Sequence, residues 1–139
     1  MQPTSDDVLR ACKNMLAMQP ARIVDFVDYV IAAAAKTGCI WGDVDADSAI
    51  VLCARNGAFI RFEIEHAKHL FRSVCARLAA FANQHGCEMN PYGGKTELTI
   101  TGADNRRYRL IVDIMNTPKS QWFRIQANPI SDSPTSAPQ

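Results

Sequence analysis

The stretch S48-A-I-V-L-C-A-R-N-G-A-F-I-R-F-E-I-E65 decides the fold class. Two runs rich in apolar and β-branched residues, Ser48 to Arg55 and Ala58 to Glu65, flank Asn56-Gly57, a pair that tolerates positive φ and predicts a two-residue hairpin turn. Along the second run Ala58, Ile60, Phe62 and Ile64 alternate with Phe59, Arg61, Glu63 and Glu65. A period of two puts these sets on opposite faces of a strand, one dry and one largely wet. Such a sheet needs a lid over its dry side.

The next segment supplies one. From His66 to about Gln84 the period becomes helical, and Ala67, Leu70, Phe71, Val74, Leu78 and Phe81 fall in one narrow arc that predicts a helix lying on the sheet. Gly86 closes it. Cys87–Asn90, Lys95–Thr101, Arg107–Met115 and Gln121–Ala127 then read as three or four short strands, separated by the turn-forming stretches Pro91–Gly94, Gly102–Asn105 and Asn116–Lys119. In the strand Arg107–Met115, Tyr108, Leu110, Val112 and Ile114 share the apolar side, which leaves Arg107 and Arg109 on the other.

Upstream, Thr4 and Asp7 form a T-x-x-D start with two acids in the first turn, a pattern that satisfies orphan amides and complements the helix dipole. The first helix buries Val8, Leu9, Cys12, Met15 and Leu16. Pro20 ends it and serves as the first turn of a second helix, about Pro20–Thr37. Apolar residues cover about half the circumference of that second helix. An arc so wide predicts packing between two layers or a subunit contact. Gly38 provides its left-handed stop. Asp43-Val44-Asp45-Ala46-Asp47 reads as a solvated loop: it has the opening carboxylate spacing of a calcium loop, but Ser48 and Ala54 stand where that loop needs Gly and Glu.

The expected class is therefore α+β: two N-terminal helices and a third helix packed on one mostly antiparallel sheet of about five strands. Residues 1–128 are read as a single domain, and residues 129–139, with three prolines, three serines and no aromatic, as a disordered tail. The ββαβββ order with a preceding helix resembles that of the profilin-like and roadblock/longin domains. That likeness is one of element order, which implies a fold class and no function.

Composition narrows the function classes. A chain of 139 residues, 47% hydrophobic and 21% charged, is the size of one domain and has no room for a separate cofactor domain. A formal charge of +1 gives no whole-molecule attraction to nucleic acid or an anionic membrane. Five cysteines without a C-x-x-C predict reduced, mostly buried thiols. The N-terminus, with Asp6 and Asp7, does not resemble a secretory leader, and the apolar run Val30–Ala35 is too short to span a bilayer, so the chain is expected in the cytoplasm with no membrane partner.

No motif specifies a reaction. Gly93-Gly94-Lys95-Thr96 ends like a phosphate loop, but the earlier glycine is absent and a strand pattern follows where a helix is required, so it reads as a turn between strands. His66 and His69 share a helix start without further ligands, and His85 lies a helix length away. No nucleophile has a neighbouring activator. No catalytic residue, metal or cofactor is expected.

The remaining signal is charge distribution. Residues 1–48 hold seven acids and four bases, a net −3, whereas the rest hold eleven bases and seven acids, a net +4. The strand register predicts that Arg61, Lys95, Arg107, Arg109 and Arg124 share the wet sheet face with Phe59, Trp122, Glu63, Glu97 and Asp113. Arg61, Arg107, Arg109, Trp122 and Arg124 are thus the candidate ligand-binding residues, since guanidinium forks beside aromatics suit phosphate, carboxylate or single-stranded bases.

The leading expectation is a non-catalytic binding or adaptor domain that self-associates, as a dimer, through the second helix or through an unpaired edge at Gln121–Ala127. The alternatives are an anion or nucleic-acid binder using the basic sheet face, nucleic acid being the weaker partner, and a small enzyme with a pocket between the second helix and the sheet.

Overall fold

The computed structural model describes residues 4–130. Three helices, α1 (Ser5–Ala17), α2 (Ile23–Thr37) and α3 (Ala67–Gln84), cover one face of a six-stranded sheet. The strands are β1 (Cys39–Val44), β2 (Ala49–Ala54), β3 (Phe59–Glu63), β4 (Gly93–Thr101), β5 (Arg107–Thr117) and β6 (Ser120–Pro129). Their order is β3-β2-β1-β6-β5-β4 and every pairing is antiparallel. Two three-stranded meanders meet at the β1–β6 pair. The class is α+β, as the hydrophobic periods predict, with six strands in place of about five.

The additional strand is β1, of which the sequence assigns only Asp43 and Val44, to a loop. It occupies the middle of the sheet, so the element order is βββαβββ where ββαβββ was expected. Its inward side carries Ile40 and Gly42, and Gly42 is small for a reason. A Cβ there would lie 2.7 Å from Leu52 Cδ2 and 3.0 Å from both Phe123 and Phe71, so those side chains occupy the space a larger residue would need.

Cys87–Asn90, read as a strand, is not one. Its amides are held by the end of α3 in place of a ladder: Met89 N–H donates to Asn83 Oδ1 (2.9 Å) and Cys87 N–H to the Ala82 carbonyl (3.0 Å), while just after the segment the buried Asn116 donates through Nδ2 to the carbonyl of Pro91 (2.9 Å). Gly93-Gly94-Lys95-Thr96 belongs to the start of β4, not to the preceding turn. The β2–β3 connection has four residues, Arg55 to Ala58, closed by Ala54 N–H donating to the Ala58 carbonyl (2.9 Å) and with only Gly57 at positive φ (90°), the geometry of a turn followed by a glycine bulge. The β6 strand continues to Pro129, and Ile130 N–H donates to the Arg107 carbonyl (2.9 Å), so the ordered chain passes the expected boundary at residue 129. The rest of the expected tail, residues 131–139, lies outside the described residues.

At α1 the predicted start forms a complete capping box: Asp7 N–H donates to Thr4 Oγ1 (3.1 Å) and Thr4 N–H to the Asp7 carboxylate (3.2 Å). The second helix begins at Ile23, not Pro20, after Arg22 N–H has bonded back to the Met15 carbonyl (3.0 Å). Most of its wide apolar arc is filled within the chain, while Val24 stays 49% exposed. α2 lies between α1 and α3 and rests on β1 and β6, burying Phe26, Val27, Val30, Ile31, Ala33 and Ala34. Gln121–Ala127 is not an unpaired edge, because β6 is an interior strand with Phe123 and Ile125 in the core.

Tyr108, Leu110, Val112 and Ile114 are buried under the helices, and Phe123 stacks on Phe71 (centroids 5.4 Å apart) while meeting Phe26 edge-on (6.2 Å). The helices cover this side only. Among the described residues the opposite sheet face is open.

Candidate functional site: the open sheet face

The strand register sets the neighbours on the open face. One row across the sheet reads Phe59, Cys53, Trp41, Arg124, Asp113, Lys95, and the adjacent row reads Arg61, Val51, Asp43, Trp122, Met115, Gly93. The face thus mixes aromatic and charged residues, with Trp41 and Trp122 on its two central strands and Phe59 on the β3 edge; Phe59 is 65% and Trp41 37% exposed.

Of the five candidate residues, the structure brings two together. Trp122 and Arg124 are neighbours on the open side of β6. Arg61 stands three strands away, about 14 Å. Its guanidinium is committed to Asp45 (2.7 Å) and Asp47 (3.5 Å) at the β1–β2 turn. Arg109 lies two turns of the pleat further along β5 and pairs with Glu97 (3.8 Å). Arg107 is farther out on β5, where its carbonyl receives Ile130 N–H. The five do not make one site.

Arg124 makes a site with residues the sequence reading passed over. It lines a cleft of about 290 Å³ with Cys39, Trp41, Arg55 and Gln126. Arg55 reaches this cleft from the β2–β3 connection, where Arg55 N–H bonds to the Cys39 carbonyl (3.1 Å). Its guanidinium crosses the bare backbone of Gly38, whose hypothetical Cβ would lie 2.9 Å from Arg55 Nη1. Among the described residues no carboxylate comes within ion-pair distance of Arg55 or Arg124, although Asp113 is the β5 partner of Arg124 in register. Two guanidiniums without counter-charges therefore flank one indole. Burial pushes the Cys39 thiol up, and the two arginines oppose that shift without cancelling it.

Trp41 and Arg55 were missed for different reasons. Trp41 belongs to the unread strand β1, although its alternation of Cys39, Trp41 and Asp43 with Ile40, Gly42 and Val44 was a usable signal. Arg55 was assigned to a strand end, and nothing local shows that its side chain folds back over Gly38.

A second concavity, about 620 Å³, opens on the helical side between α2, the end of α3 and the β4–β5 turn. Ile31, Ala32, Ala35, Phe81 and Ile100 line it beside Asp28, Lys36, His85, Asp104 and Tyr108.

The acids of the Asp43–Asp47 segment have other roles. Asp45 Oδ1 accepts from the N–H groups of Asp47 (2.9 Å) and Ala49 (3.0 Å), and Oδ2 from Arg61. Among the described residues no group of three or more His, Cys, Asp or Glu is placed to hold a metal ion, and no helix is long and apolar enough to cross a membrane. Compared with known proteins, the chain matches no family model and no curated protein, so the functional reading rests on this geometry.

Proposed function

We propose that this chain is a non-catalytic binding domain that takes a small anionic ligand on the open face of its sheet, in the cleft between Arg55 and Arg124. The observation that carries the reading is the pair of guanidiniums without carboxylate partners beside Trp41. Arginine is weakly hydrated and presents a planar fork of donors, so two of them converging on one cleft suit phosphate or carboxylate oxygens. The indole adds a surface on which a planar portion of the ligand can lie.

The mixed charge of the surrounding face favours a small anion over a nucleic-acid strand. Arg61 and Arg109 already have acidic neighbours, Asp113 stands beside Arg124 in the cleft row, and Asp43 stands in the adjacent row. A polyanion crossing the face would meet those carboxylates.

The test is titration with pyrophosphate and, separately, with a single-stranded oligonucleotide, followed by tryptophan fluorescence at low and high salt. Saturable pyrophosphate binding that weakens with salt, and that Arg55→Ala and Arg124→Ala each reduce, is the expected result. Oligonucleotide binding with a steep salt slope and no pyrophosphate response would move the assignment to nucleic acid. Absence of both would end the anion reading.

A further inference from the structure

The cavity on the helical side has a chemistry opposite to that of the sheet-face cleft. Its volume of about 620 Å³ is that of a small-molecule site, and its walls are mainly apolar, from α2, Phe81 and Ile100. The polar groups at its border are biased toward acceptors. Asp104 accepts from the Tyr108 hydroxyl (2.7 Å) and from Arg106 N–H (3.0 Å), so the Tyr108 oxygen has donated its only proton and offers lone pairs. His85 Nδ1 lies 3.0 Å from the Phe81 carbonyl, which can only accept, so Nδ1 carries the proton of that hydrogen bond. Asp28 adds a carboxylate with no ion pair among the described residues.

The one ammonium at the border is Lys36, eight residues beyond Asp28 on the same helix and so about 12 Å from it along the axis. Arg106, in the β4–β5 turn, is a second cation and acts on both Asp104 and Tyr108. The Phe81 and His85 rings, with centroids 4.3 Å apart, form a continuous aromatic wall. A ligand that complements this arrangement has a compact apolar or aromatic body and a protonated amine directed away from Lys36.

From this arrangement we infer that the cavity between α2, the end of α3 and the β4–β5 turn is a binding site for a small amphipathic amine, with Asp28 and the Asp104–Tyr108 pair as its polar anchors. The site is separate from the sheet-face cleft. Neither result depends on the other.

The experiment compares 2-phenylethylamine with 3-phenylpropionate, probes of similar size and opposite charge, by amide chemical-shift titration of the full chain. The amine is expected to shift amides of residues 28–36 and 99–108 with a Kd of about 1 mM or tighter, and the carboxylate to bind at least about tenfold more weakly. Asp28→Asn should weaken the amine about tenfold. Ala32→Trp places an indole in the cavity from an exposed helix position and should abolish binding in a protein that still gives a folded spectrum. Equal affinity for the two probes, shifts confined to other residues, unchanged binding in folded Ala32→Trp, or no shift with either probe would each overturn the assignment.

Discussion

Trp41 on β1 stands directly across from Arg124 on β6, on the face that no helix covers. The two side chains meet Arg55 at one cleft because β1 joins the two meanders: it pairs with β2, which leads into Arg55, and with β6, which carries Arg124. This relationship yields a graded expectation. Arg124→Ala should weaken pyrophosphate binding by about tenfold or more, whereas Arg124→Lys should recover part of the loss, because an ammonium keeps the charge but not the planar fork. Gly38→Ala should also weaken binding. Its φ of +91° disfavours a side chain, and the added Cβ would press on the Arg55 guanidinium. Fluorescence titration of each variant measures the effect, and an Arg124→Lys variant as tight as the original would count against a guanidinium site.

The joint between sheet and helices centres on Phe123. It is buried, stacked on Phe71 and edge-on to Phe26, so Phe123→Ala should cost about 3–5 kcal/mol through lost burial and a residual cavity. Gly42→Ala attacks the same point by overfilling it and should cost about 1–3 kcal/mol. Urea denaturation of each variant provides the comparison. A neutral effect at Gly42 would mean that Leu52, Phe71 and Phe123 can all yield.

The thiols divide by burial. Cys12 and Cys75 have no exposed surface, and burial pushes both up to about 12. Cys75 also lies against the carbonyls of Trp122 (3.5 Å) and Met115 (3.6 Å). At pH 8 neither should react with a disulfide reagent in the folded protein, because the thiolate is the nucleophile and neither ionises appreciably. Half-buried Cys53 and Cys87 should react first, and all five after denaturation. Mass spectrometry of the labelled peptides gives the order, and early labelling of Cys12 or Cys75 would contradict the packing described here.

Legibility in the sequence follows the range of the interactions involved. The α1 cap, the α3 stripe and the alternation of β5 depend on residues within a few positions of one another, and they could be read. β1 also alternates, but Gly42 interrupts its inward side and the acids after it imitate a loop; the reason for Gly42 lies in Leu52, Phe71 and Phe123. Cys87–Asn90 has a strand's alternation, yet Asn83 and the Ala82 carbonyl satisfy that segment instead of a neighbouring strand. At the site, Trp122 and Arg124 were legible from register. The pairing of Arg61 with Asp45, sixteen residues distant, was not, and neither was the reach of Arg55 across Gly38.

Asp45 allows that long-range pairing to be tested by pH. The Arg61 hydrogen bond, followed by the amides of Ala49 and Asp47, holds its carboxyl below the ordinary carboxylate range. In the unfolded chain an aspartate titrates near 3.9, so between that value and the lower folded one the unfolded state binds more protons. The stabilisation from Asp45 is therefore complete above about pH 4 and is lost as pH falls through the folded value. Asp45→Asn retains an oxygen for the turn amides but carries no charge. The stability difference between the original protein and Asp45→Asn should stay constant from neutral pH down to about 5 and shrink as pH falls below about 4, through the folded value. Because Asp7 and Asp104 are also held low but remain in both proteins, their contributions cancel in this difference. Urea denaturation at a series of pH values measures it, and Arg61→Ala should remove most of the same acid-sensitive component. A difference that does not change with pH would mean that Asp45 acts through its turn geometry alone, without its charge.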